Sequence, residues 1–219
     1  MIRLGFIGIV LTFVLQVALP QRAAGRSPDA TSAPFDYYVL SLSWSPQYCA
    51  GSGGGRQDQQ CAGRRPFAFV LHGLWPQYEK GFPRDCESHE RVSQQLVDDM
   101  LDIMPSPKLV RHEWNTHGTC SGLDPRDYFA TARRAFESIR IPAAYSETPK
   151  QVYVAPSQLQ RQFLDANPKL RAAGVAVLCS GRYLQEVRVC LDRDLAPRAC
   201  GRDVRDTCKG GEIIVRPVR

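Results

Sequence analysis

The sequence predicts an α+β fold, and three observations carry the prediction. Aromatic-rich alternating and continuously apolar segments near the start read as strands, successive amphipathic segments of helical spacing fill the middle, and the last third returns to a strand-like pattern. The order strand, strand, helices, strands lacks the regular alternation of a parallel βαβ fold. At 219 residues the chain suits one core, and no repeat, low-complexity tract or linker divides it.

In chain order, residues 1–25 have a basic start, an apolar run from Leu4 to Leu19 and small residues at Ala23, Ala24 and Gly25, the pattern of a signal peptide removed near Arg26. Residues 26–34, "RSPDATSAP", read as a flexible N-terminal arm, leaving 35–219 as a single domain. "FDYYVLSLSW" predicts a strand over 35–44 that Pro46 ends. "GSGGGRQDQQ" is a loop between Cys49 and Cys61, and it lacks the Lys-Ser or Lys-Thr ending of a phosphate-cradling loop. The apolar run "PFAFVLHGLWP" predicts a buried central strand with His72 near its C-terminal end.

"VSQQLVDDMLDIMP" predicts a helix closed by Pro105, and "KLVRHEWNTHGTC" permits a further helix of about three turns before Gly118. "DPRDYFATARRAFESI" predicts another, with Asp124 as cap and Pro125 in the first turn. "SQLQRQFLDAN" opens on a Ser–Gln capping-box pattern at Ser157 and Gln160 and stops before Pro168. "GVAVLC", "YLQEVRVCLD" and "EIIVRPV" read as strands, the first two joined through "SGR" as a hairpin.

The formal charge is +6, and loss of Arg3 and Arg22 with the leader leaves 26 basic against 22 acidic residues, a net +4. Such an excess suits a polyanionic partner without identifying one. The eight cysteines, at 49, 61, 86, 120, 179, 190, 200 and 208, form no C-x-x-C, which argues against a zinc ribbon or a thioredoxin-like site. In a chain with an export leader they read as disulfides, which makes Cys120 a bridge half and not a nucleophile.

The densest chemistry lies in "HEWNTHGTC", residues 112–120, which at first sight resembles the H-E-x-x-H zinc signature. Zinc-binding helices place two histidines at i and i+4; here they are at i and i+5, about 140° apart around a helix. What stacks at i and i+4 is Glu113 with His117, a carboxylate that can tune an imidazole for proton transfer. His72, inside an apolar run, must find a partner or face a cleft, and Gly73 beside it lets another group approach the backbone. Two histidines and a glutamate in an exported, disulfide-rich frame point to proton-transfer catalysis, with Trp75 either core or a platform for a base.

"HGLWP" at 72–76 and "HEWNTHGTC" at 112–120, in that order and spacing, resemble the two catalytic segments of the ribonuclease T2 family. The likeness extends through "YYVLSLSWSPQYC" and the cysteine-rich C-terminal strands. It implies a mostly antiparallel central sheet with helices packed against it, stapled by disulfides. It further implies a secreted or periplasmic endoribonuclease cleaving single-stranded RNA with low base specificity through a 2′,3′-cyclic phosphate. His117 is then the general base, His72 the general acid and Glu113 a transition-state assistant, with His112 on the phosphate and Trp75 on a base. The resemblance implies the bridges Cys86–Cys120, Cys179–Cys208, Cys190–Cys200 and Cys49–Cys61. It implies no cofactor, no metal, no action on DNA, no membrane association after leader removal, and a monomer.

Many relatives carry lysine where this chain has Thr116, so a cation is missing that only Arg111 or a basic residue from elsewhere can replace. The competing readings are an RNA-binding or signalling protein of the same fold, attenuated by Thr116, and a zinc hydrolase.

Overall fold

A computed structural model describes residues 35–51, 59–62 and 66–218; the leader, the arm and most of the Gly-rich loop lie outside them. The fold is α+β. One six-stranded sheet contains β1 (Tyr37–Trp44), β2 (Phe69–Gln77), β3 (Val152–Val154), β4 (Val175–Ser180), β5 (Tyr183–Leu191) and β6 (Ile213–Val215), in the order β2-β1-β5-β6-β3 with β4 also paired to β5. All pairings are antiparallel except the short contact of β5 with β6.

The helices pack on one face of the sheet. They are α1 (Ser45–Ala50), α2 (Gln59–Ala62), α3 (Gln94–Met100), α4 (Pro107–Thr116), α5 (Pro125–Ser138) and α6 (Pro156–Ala166). On β1 strict alternation sends Tyr38, Leu40, Leu42 and Trp44 into the main core, where they meet Val97 of α3, Trp114 of α4, Phe129 of α5 and Phe163 of α6. Tyr37 and Val39 point to the other face and join a smaller cluster with Ala176, Cys190 and Val204. Four disulfides, Cys49–Cys61, Cys86–Cys120, Cys179–Cys208 and Cys190–Cys200, tie the surrounding segments to this frame.

Local chemistry explains most boundaries. Ser93, Ser106 and Asp124 cap α3, α4 and α5 by accepting from the backbone N–H groups of Leu96, Leu109 and Asp127. α6 differs from the capping-box expectation: Pro156 starts it one residue before Ser157, no side chain caps it, and Gln160 instead donates to the Val175 carbonyl at 2.7 Å. β2 is not a central strand but stands at the end of the sheet order. Its apolar run arises because the turn after α3 covers its free edge, with Leu71 N–H donating to the Ile103 carbonyl at 2.9 Å. α3 ends at Met100, and residues 101–104 form a turn before Pro105. β3 and α1 carry too few residues to show a period, and β6 is only three residues long.

Candidate active site

The functional side chains of the strands gather on the sheet face opposite the main core, where the C-terminal end of α4 brings its own, and a β-bulge puts His72 there. The register of β1 with β2 jumps from Ser41 opposite Gly73 to Leu42 opposite Leu71, so His72, in mid-strand, is the extra residue. In a regular strand residues three apart point to opposite faces. The bulge cancels one step: Leu71 and Leu74 both enter the main core, while His72 and Trp75 meet on the other side with ring centroids 5.2 Å apart. Gln185 is the extra residue where β5 pairs β4, and by the same parity Leu184 is in the core while Glu186 reaches His72.

His72 Nδ1 lies 2.7 Å from Glu186 Oε1, and the other carboxylate oxygen accepts from Arg188 Nε and Nη2 at 3.0 and 2.8 Å. The Arg188 guanidinium carbon stands 4.9 Å from the Trp75 ring centroid. At the indole nitrogen of Trp75, Glu113 is buried at 1% exposure, accepts from the indole N–H at 2.7 Å and stands 3.8 Å from His72 Nε2. It gets this close because residue 73 has no side chain: a Cβ there would collide with the Glu113 carboxylate and the Trp75 indole nitrogen.

His117 occupies the C-cap of α4, with φ −122° and ψ −44°. Its backbone N–H still bonds the Glu113 carbonyl, yet its ring leaves the helical path and lies 5.3 Å from the Trp75 ring. The expected Glu113–His117 pair therefore does not form; the carboxylate serves His72 and Trp75. Gly118 follows because a Cβ there would press on the rings of Trp114 and Tyr128. The Cys86–Cys120 bridge and the Asp85 N–H bond to the Thr116 carbonyl hold the segment carrying Phe82 and Arg84 against this turn.

The two histidines experience opposite fields. Burial pushes the His117 pKa down to about 4, with help from His112, His72 and Arg84. Burial also pulls on His72, but the hydrogen bond and charge of Glu186, backed by Glu113, outweigh it and raise its pKa. Burial lifts Glu113 to about 7 against the pull of His72 and Trp75. Glu186, although buried, is drawn down to about 2 by His72 and Arg188.

A cleft of about 390 Å³ is lined by Trp75, Phe82, Arg84, His112, Thr116, His117 and Arg188, among others. His72 and Glu113 do not line it but contact Trp75, which does, and the His72 side chain is 32% exposed. Arg111 is turned away, donating to the Pro107 carbonyl and to Gln94, so the cations at the cleft are Arg84 and Arg188. Among the described residues no three His, Cys, Asp or Glu side chains are grouped to hold a metal ion, and no helix is long and apolar enough to cross a membrane. Glu186 and Arg188 were not singled out from the sequence, although a glutamate in "YLQEVRVCLD" is as costly to bury as a histidine in "FVLHGLWP".

The model of the ribonuclease T2 family matches residues 35–200. A ribonuclease of Aeromonas hydrophila is 36% identical over 167 residues, covering 73% of each chain. Among solved structures, an RNase-related protein from Calystegia sepium superposes with a TM-score of 0.67 at 21% identity, over 85% of this chain and 98% of that one. RNase NT, solved in complex with 5′-AMP, superposes with a TM-score of 0.66 at 21% identity, over 85% of this chain and all of that one.

Proposed function

The chain belongs to the ribonuclease T2 family of endoribonucleases, and on that premise we propose that it cleaves single-stranded RNA, with little base preference, by a metal-independent transesterification. His117, neutral above about pH 4, takes the proton of the ribose 2′-hydroxyl. The 2′-oxygen attacks the adjacent phosphorus, the bond from phosphorus to the 5′-oxygen breaks, and His72 gives its proton to that leaving oxygen. The products are a 2′,3′-cyclic phosphate and a free 5′-hydroxyl. Because the nucleophile is internal to the substrate, proximity is supplied by RNA itself, and DNA is inert.

The observation that carries this assignment is the divergence of two histidines that both contact one tryptophan. Environments that separate two pKa values mark which group is the acid and which the base, and here the raised one is His72 and the lowered one His117. His112, exposed at the cleft, binds the phosphate with Arg84 and Arg188, which take over from the lysine that Thr116 replaces. Glu113 holds the Trp75 indole, so Trp75 keeps one orientation as a wall for a base. The leader and the four disulfides fit a secreted or periplasmic monomer.

Purified protein incubated with single-stranded RNA in excess chelator is expected to release fragments ending in 2′,3′-cyclic phosphate. No cleavage between pH 4 and 8 overturns the proposal in favour of an attenuated RNA-binding protein. Cleavage only with added zinc points to a metal hydrolase.

A further inference from the structure

We propose that Glu186 is the positioning residue of the reaction: it grips His72 through Nδ1, so that the proton for the leaving group is carried on Nε2, and Arg188 clamps Glu186 for that task. The inference rests on His72 acting as general acid. Three observations support it, the first two on β5, which the sequence motifs do not touch.

Glu186 is buried at 3% exposure, and both of its oxygens are engaged, Oε1 by His72 and Oε2 by Arg188. A buried carboxylate with a bidentate guanidinium on one side stays ionised and fixed, and it accepts the proton of a ring nitrogen presented to it. An ionised carboxylate on Nδ1 selects the tautomer with hydrogen there and leaves Nε2 to exchange the catalytic proton. Register is the second observation: β5 pairs β1 without a break from Leu191 to Glu186, so regular alternation puts Glu186 opposite Ser43 and on the same face as Arg188 and Cys190.

The third is the contrast with His117. Its Nδ1 is buried and has no hydrogen-bond partner among the described residues, so nothing comparable holds that ring. Only the histidine assigned as acid is gripped. The titratable and charged groups that face His72 are Glu186 and Arg188 from β5, Glu113 from α4 and His117 at the C-cap of α4. Arg188 opposes the protonation of His72 while the two carboxylates favour it, so the identity of residue 186 decides the balance.

The test combines NMR on the free protein with kinetics. In ¹⁵N spectra of the imidazoles without RNA, neutral His72 is expected to carry hydrogen on Nδ1 and to titrate above the ordinary value of about 6.5. Glu186→Gln keeps the shape and removes the charge. Its alkaline limb in the pH–kcat profile is expected to move down, with kcat at pH 7 lower by about 10- to 100-fold and KM within about threefold. Glu186→Asp, which restores the charge, is expected to return part of kcat and part of the limb shift. A bare Nδ1 in the wild-type protein, or an E186Q limb and kcat equal to wild type, overturns the inference. If E186Q does not fold, the wild-type tautomer and titration decide alone. Because the spectra need no substrate, a gripped His72 in a protein that cleaves no RNA refutes the proposed activity and leaves the grip standing.

Discussion

Replacing Gly73 by alanine adds one methyl group at the point where three functional groups converge. A Cβ built there falls on the Glu113 carboxylate and the Trp75 indole nitrogen, the two partners of a half-buried hydrogen bond of 2.7 Å. Neither can yield cheaply: Glu113 is rooted in α4 at 1% exposure, and the Trp75 ring is in contact with both His72 and His117. Overpacking of this kind costs about 1–3 kcal/mol, and disrupting a hydrogen bond to a buried carboxylate adds about 1.5–3 kcal/mol. A sum of about 2.5–6 kcal/mol corresponds to a fall in Tm of roughly 5–24 °C for a domain of this size. Activity is expected to drop further than stability at 25 °C, because Trp75 and Glu113 both stand beside His72. The assay is a thermal melt with kcat/KM on single-stranded RNA for wild type, G73A, E113A and the double variant. E113A removes most of the obstructing atoms, so the double variant should lose less than the sum of the singles by at least about 1 kcal/mol. Full stability and activity in G73A, or strict additivity, would refute this account of why residue 73 is glycine.

Thr116→Lys is expected to raise kcat/KM less than about tenfold, because Arg84 and Arg188 already line the cleft; a gain of about a hundredfold or more would mean that neither reaches the transition state. Replacing Cys86 and Cys120 by alanine opens a loop of 34 residues and should destabilise by about 4 kcal/mol, measured by urea unfolding, with kcat reduced because the Phe82 segment loses its hold on the His117 turn. Stability against pH follows from the buried groups. His117, whose folded pKa of about 4 lies below its usual value, contributes stability that is full above about pH 6.5 and lost as pH falls toward 4. Glu113, raised to about 7, contributes in the opposite sense, fully below its usual carboxylate value and less as pH rises through 7. The two nearly cancel in between, so wild-type stability should be flat from about pH 4.5 to 6.5, and Glu113→Gln should become progressively more stable relative to wild type over that range. A constant difference would show that Glu113 is not titrating as a buried carboxyl.

The family segments "HGLWP" and "HEWNTHGTC" and the α+β order were legible because they rest on local pattern: residue types at short spacing and the switch of hydrophobic period from two to 3.6. The leading strand, the hairpin of β4 and β5, and the starts of α3, α4 and α5 follow from alternation, turn residues and capping side chains within a few positions. Partnership was not local. A helical wheel pairs Glu113 with His117, but the helix ends at Thr116 and the carboxylate turns to β2, which only the packing of α4 over Gly73 decides. Likewise an apolar run does not say whether it is central in a sheet or at a covered edge, and β2 is the latter.

What the sequence determined by itself, then, is the set of chemical groups and the elements that carry them, because both depend on neighbours in the chain. What the tertiary structure alone decided is which groups face each other. His72 meets Glu186 across 114 positions because one extra residue in β2 turns His72 to the face on which the unbroken register of β1 with β5 sets Glu186. A bulge is set by how two strands register against each other, and register is a property of the assembled sheet.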